Sequence, residues 1–114
     1  MRVACGVDTI DLTQIQSTLR DATQLQRMLH AGDASRQDPE HIAGRIALKE
    51  ATMKALGMPP GSWLDIFVHT HASGKPELSV SQPPHGLVSL DGSISHHGNL
   101  VIAFVVALFD DKSK

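Results

Sequence analysis

After the helical segments the periodicity of the chain changes at Gly57-Met58-Pro59-Pro60, and that change dictates the class of fold. Before it, two segments carry apolar residues at helical spacing. After it, short runs rich in β-branched residues are divided by glycine and proline turns. The second helical segment has the clearer ends: Asp38 is its expected N-cap, Pro39 suits its first turn, and Gly57 is a natural stop backed by two prolines. The first is expected to run from a cap at Asp11 or Thr13 to Leu29, carrying Ile15, Leu19, Leu25, Met28 and Leu29.

The strand-like segments are Arg2 to Ile10 around Gly6, Leu64 to His71, and Glu77 to Val80 after a Gly74-Lys75-Pro76 turn. Val88 to Ser95 and Leu100 to Leu108 follow as a hairpin joined by His96-His97-Gly98-Asn99. Strand, two helices, then strands predicts an α+β domain with an antiparallel sheet packed against two main helices. Residues 1–109 are expected to form this single domain and 110–114 a flexible tail. With 114 residues the core is thin, which favours self-association on stability grounds.

Ten Lys and Arg stand against twelve Asp and Glu, a formal net charge of −2, so the chain lacks the electrostatic footprint of a bulk nucleic-acid binder. The longest apolar stretch, Leu100 to Phe109, is too short to span a bilayer. Cys5 is the only cysteine, which excludes an internal disulfide. It reads as a small buried hydrophobe. The start of the chain lacks the layout of a secretory signal, and a cytoplasmic setting is expected.

Charged residues in apolar settings mark candidate chemistry. On a helical wheel Ile42, Ile46, Met53 and Leu56 share one narrow face; Lys49 falls within it and Arg45 at its edge. Two cations four apart repel by a few tenths of a kcal/mol, roughly, so their crowding points to an anion nearby. Glu50 and Lys54 form an opposite-sign pair on the adjacent face. The residues alone leave open that the cations snorkel to water and that Glu50 and Lys54 are an ordinary surface pair. Asp8 follows Gly6 in an apolar strand, where a carboxylate needs a cation or donors unless it faces water at the strand end. If the second helix packs across that strand, Asp8 and Glu50 converge, and two carboxylates with waters and phosphate oxygens are a common magnesium site. His96, beside Ser93 and Ser95, is a candidate phosphate ligand, acid or base, with a polar turn as the plain alternative. His69 and His71 share a strand face but have no third zinc ligand at a recognisable spacing.

Taken in order, these segments resemble the holo-acyl-carrier-protein synthase family, the short phosphopantetheinyl transferases. Gly6-Val7-Asp8-Thr9-Ile10-Asp11-Leu12 is similar to the family's N-terminal strand, and Arg45-Ile46-Ala47-Leu48-Lys49-Glu50-Ala51 with Lys54 to its helix motif. Ser93-Ile94-Ser95-His96 resembles its S-I-S-H segment, and Gly74-Lys75-Pro76-Glu77-Leu78 its G-K-P-x-L turn.

The resemblance implies a phosphopantetheinyl transferase-like fold and transfer of 4′-phosphopantetheine from coenzyme A to a serine of an apo acyl carrier protein. It implies Mg2+ on Asp8 and Glu50, which with Lys54 form the catalytic set. Coenzyme A would be bound by Arg45, Lys49, the turn Gly74, Lys75 and Pro76, and His96. Arg20 and Arg27 on the first helix are candidate contacts for the carrier. It further implies a homotrimer, with His96 serving a site whose Asp8 and Glu50 belong to a neighbour. The sequence departs from the family pattern at Thr9, at Ile46 where an aromatic is usual, and at Gln14 where many relatives place an arginine facing the carrier. A catalytically silent carrier-docking or oligomerisation module of the same fold is the alternative.

Overall fold

The structure, a computed structural model, describes residues 1–34 and 38–111. The chain runs through strand β1 (Arg2–Asp11), short helices α1 (Gln16–Leu19) and α2 (Ala22–Met28), the long helix α3 (Pro39–Leu56), and strands β2 (Ile66–Thr70), β3 (Pro76–Val80), β4 (Leu87–His97) and β5 (Leu100–Phe109). Three strands form an antiparallel sheet in the order β1-β5-β4, and β2 pairs with β3 as a separate antiparallel ribbon. The α+β class stands as read from the sequence, with two sheets in place of one.

Helix α3 has the ends its sequence dictates. Asp38 accepts a hydrogen bond from the His41 amide at 3.1 Å, and Pro39 occupies the first turn. Gly57 closes the helix at φ 65°, while the Met58 amide reaches back to the Met53 carbonyl at 3.0 Å. Its environment is wider than one apolar stripe, because Ala43, Gly44, Ala47, Leu48, Ala51, Thr52 and Ala55 are buried too. Small residues let the helix settle onto the sheet, where Val101, Ala103, Val105 and Ala107 of β5 alternate toward it. Ile66 and Leu78 bring the ribbon into the same core.

Gly6 sets the closest approach. A Cβ there would stand 2.1 Å from the Ala51 carbonyl oxygen and 2.9 Å from the Ala55 nitrogen, so β1 can run under α3 only with glycine at this point. Along β1 the alternation then puts Gly6, Asp8 and Ile10 toward the helix and leaves Val3, Cys5 and Val7 exposed. Cys5 is therefore a surface residue, contrary to its reading as a buried hydrophobe.

Two other expectations are corrected. The first helix breaks at Asp21, whose extended backbone and side chain, accepting from the Gln24 amide at 3.1 Å, start a new helix instead of continuing the old one. The hairpin connection shrinks to Gly98-Asn99, with Gly98 at φ 58°, so His96 and His97 belong to β4 and pair with Val101 and Leu100. In the segment read as a tail, Asp110 donates its amide to the Gly86 carbonyl at 2.8 Å and Asp111 accepts from Arg2 at 2.9 Å. Residues 112–114 and 35–37 lie outside the described part of the chain.

Candidate active site

Strand β1 and helix α3 bring Asp8, Glu50 and Lys54 into one cluster. Glu50 and Lys54 are four residues apart on α3, one turn along the same face. The Lys54 ammonium donates to the Val7 carbonyl at 2.9 Å and to Asp8 Oδ1 at 3.1 Å. Asp8 Oδ2 is buried and accepts no hydrogen bond among the described residues. Burial pushes the Glu50 carboxyl above the ordinary carboxylate range, and the neighbouring Asp8 pushes it further through its charge and a side-chain contact, with Lys54 opposing. Two close carboxylates, one bearing an oxygen without a donor, attract a cation that can supply what the protein does not.

These residues fit a magnesium ion. No three or more His, Cys, Asp or Glu side chains converge among the described residues. Two carboxylates are enough for an ion that keeps several waters and takes substrate phosphate oxygens. A zinc cage is not formed by the strand histidines: His71 pairs with Glu77, and the His69 and His71 rings meet edge to face at 5.8 Å.

The remaining expected site residues gather elsewhere. Arg45, Gly74, Lys75, Pro76 and His96 all line one open cleft of about 1260 Å³ between α3, the β2-β3 ribbon and β4. Helical geometry accounts for the division, since Arg45 and Glu50 are five residues apart and point about 140° away from each other at 100° per residue. Arg45 is nearly buried and held in place by Thr70 and by His41, whose Nε2 accepts from Arg45 Nε at 3.4 Å. Lys75 is paired with Asp91 at 2.6 Å, and that ammonium holds the Asp91 carboxyl below its usual range. The Gly74 turn is closed by the His71 amide donating to the Lys75 carbonyl at 3.0 Å, with Gly74 at φ 90°. Neither Asp8, Glu50 nor Lys54 lines this cleft.

Lys49 stands apart from both groups. Sequence reasoning set it among the substrate-binding cations, but it is fully buried and its ammonium meets Asp33 at 2.7 Å and the Met28 carbonyl at 3.1 Å. Arg20 and Arg27 are exposed, at the end of α1 and in the last turn of α2. Arg27 lines a smaller pocket of about 410 Å³, walled by Ile15, Met28, Ile46 and Trp63, which has Glu50 at its edge.

Three supporting residues escaped the sequence reading. His41 lies one helical turn before Arg45, so spacing alone could have found it. Asp33 and Asp91 are joined to their lysines only by tertiary folding, and no local signal marks them.

No family model matches the chain. Among curated proteins, a holo-acyl-carrier-protein synthase of Kocuria rhizophila is 34% identical over 121 residues, spanning 100% of this chain and 98% of that one. The chain belongs to the holo-acyl-carrier-protein synthase family. Solved synthase structures agree. That of Helicobacter pylori in complex with coenzyme A superposes with a TM-score of 0.82 at 29% identity, covering 91% of this chain and 99% of that one. The synthase of Bacillus anthracis, in complex with CoA (3′,5′-ADP), gives a TM-score of 0.75 at 34% identity, covering 91% and 94%. Among the described residues no helix is long and apolar enough to cross a membrane.

Proposed function

We propose that this chain transfers 4′-phosphopantetheine from coenzyme A to a serine of an apo acyl carrier protein, releasing 3′,5′-ADP. The observation that carries the reading is the convergence of Asp8, Glu50 and Lys54 in a chain whose full length matches synthases of this family. Coenzyme A bound to the Helicobacter and Bacillus relatives supports the donor.

Asp8 and Glu50 are the residues that would hold Mg2+. When bound, the ion would supply positive charge to the pyrophosphate oxygens as the bond to the leaving group breaks. Lys54 adds a fixed cation beside it, and transfer of this kind depends chiefly on positioning and charge neutralisation. The serine oxygen forms a bond to the phosphorus carrying the pantetheine arm, and the bond from that phosphorus to the ADP-side oxygen breaks. The hydroxyl proton passes to the Glu50 carboxylate, which serves as the general base. The leaving phosphate departs as a stable anion. Arg45, Lys75 and His96 in the large cleft would hold the phosphates and nucleoside of coenzyme A, and Arg20 and Arg27 would meet the acidic carrier.

The separation of the two residue groups supports a site completed between subunits. The outward face of the main sheet offers a surface for it: Val3 is 67% exposed, Val7 51% and Phe104 46%, and Val7 and Phe104 are neighbours across the β1-β5 ladder. A homotrimer is the assembly the family resemblance implies. A single exposed cysteine suits a reducing, cytoplasmic setting.

The test is intact-mass analysis of apo carrier proteins incubated with this protein, coenzyme A and Mg2+. Gain of one phosphopantetheine on a carrier serine is the expected result. A folded protein that binds coenzyme A and modifies no carrier would instead be a silent docking module.

A further inference from the structure

Among the described residues Lys49 is the largest side chain with no exposed surface. Burying an ammonium is costly, and an apolar residue of similar volume would fill the same space without that penalty. Desolvation accordingly draws the Lys49 proton affinity down, with Asp33 opposing. The contacts explain what the charge does there. Lys49 Nζ bonds Asp33 Oδ2 at 2.7 Å and the Met28 carbonyl at 3.1 Å, and the same Asp33 oxygen accepts the His30 amide at 2.9 Å. Met28 ends α2, so its carbonyl is one that the helix cannot satisfy internally. One ammonium therefore fastens the end of α2, and the turn after it, to α3 at the position directly before Glu50. Arg27 and Met28 from α2 and Ile46 and Glu50 from α3 line the same pocket.

We propose that Lys49 is a positioning residue that fixes α2, with its carrier-facing Arg27, relative to Glu50, so that a docked carrier presents its serine at the reacting phosphorus. This rests on the transferase reading above. Lys49 itself touches no substrate, because no part of it reaches the surface.

The deciding protein is the double variant K49M/D33N, which removes both charges and leaves no unpaired buried ion. It is expected to fold and to show a KM for the carrier raised about tenfold, below the roughly hundredfold that a misplaced reacting group can cause. Asp33 also lines the large cleft, and removing its negative charge takes away repulsion of phosphate, so the KM for coenzyme A should stay level or fall. In hydrogen exchange followed by mass spectrometry, Ala22–Met28 should exchange faster while Pro39–Leu56 does not. An unchanged carrier KM in the folded variant, or a parallel loss against both substrates with uniform loosening, would overturn the proposal. If the double variant does not fold, K49R decides: its bulkier head should still raise the carrier KM selectively, and a wild-type value sinks the idea. Should the wild-type protein transfer nothing, the transferase reading fails, and the exchange comparison alone still tests the tether.

Discussion

The carbonyl oxygen of Ala51 lies 2.1 Å from where a Cβ on Gly6 would stand. Backbone faces backbone at this crossing, so neither side can yield by rotating a side chain. The Gly6→Ala substitution should therefore lift α3 off β1, costing about 1–3 kcal/mol or more as an overpacked core does. It should also weaken the transfer reaction, because the same crossing brings Glu50 and Lys54 to Asp8. Thermal unfolding and turnover measured together check this, and a Gly6→Ala protein with wild-type stability and rate would contradict the packing account.

Glu50→Gln separates chemistry from stability. Turnover should fall by about 10²–10⁴, the range of a lost general base, while the fold survives. In metal-free buffer the variant should be more stable than wild type at neutral pH. The sign follows from the raised proton affinity of folded Glu50 above its ordinary value near 4.5. Between that value and the folded one, the folded chain binds more proton than the unfolded chain, so wild-type stability drops as pH rises through this window. Melting temperatures taken from acid to neutral pH should show the Glu50→Gln advantage growing with pH. Added Mg2+ should stabilise wild type more than the variant, and equal stabilisation of both would remove Glu50 as a ligand.

Lys54 makes the opposite pattern testable. Its side chain is 56% exposed, so the pair with Asp8 is screened by water and contributes less than about 1 kcal/mol to stability. Lys54→Met should unfold close to the wild-type temperature yet lose transfer rate, since its ammonium is free to exchange Asp8 for a phosphate oxygen. A large drop in melting temperature with unaltered kinetics would make the lysine structural.

The sequence made the frame legible where local chemistry decides it. Asp38, Pro39 and Gly57 bound α3 as their residue types require, and the turn at Gly74 needs no tertiary partner to be recognised. What escaped depended on contacts between distant segments. The wheel of α3 showed one apolar stripe because Ala43, Ala47 and Ala51 register as weak hydrophobes, although they are the residues on which the helix seats against β5. By its local sequence Lys49 is a candidate substrate cation, since nothing nearby announces Asp33, in a short 3-10 turn sixteen positions earlier. Asp21 reads as mid-helix from the apolar spacing around it, although its capping chemistry is visible in the residue type. The grouping of Asp8, Glu50 and Lys54 was anticipated only on the condition that α3 crosses β1, and Gly6 is the residue that permits it.

Arg45, Lys75 and His96 line the large cleft, and Asp8, Glu50 and Lys54 do not. If copies of the chain join through the face bearing Val7 and Phe104, each complete site draws one group from each of two subunits. Two inactive variants, Glu50→Gln and His96→Ala, should then regain part of the wild-type rate when unfolded and refolded together, because some mixed interfaces receive both intact groups. Mixing without subunit exchange should restore nothing. Val3→Asp places a charge on the exposed apolar face and outside the large cleft, where an interface would have to desolvate it. It should lower the assembly size seen by light scattering and abolish the regained activity, while the monomer keeps its secondary structure. Full activity from a Val3→Asp monomer would mean that a single chain completes its own site.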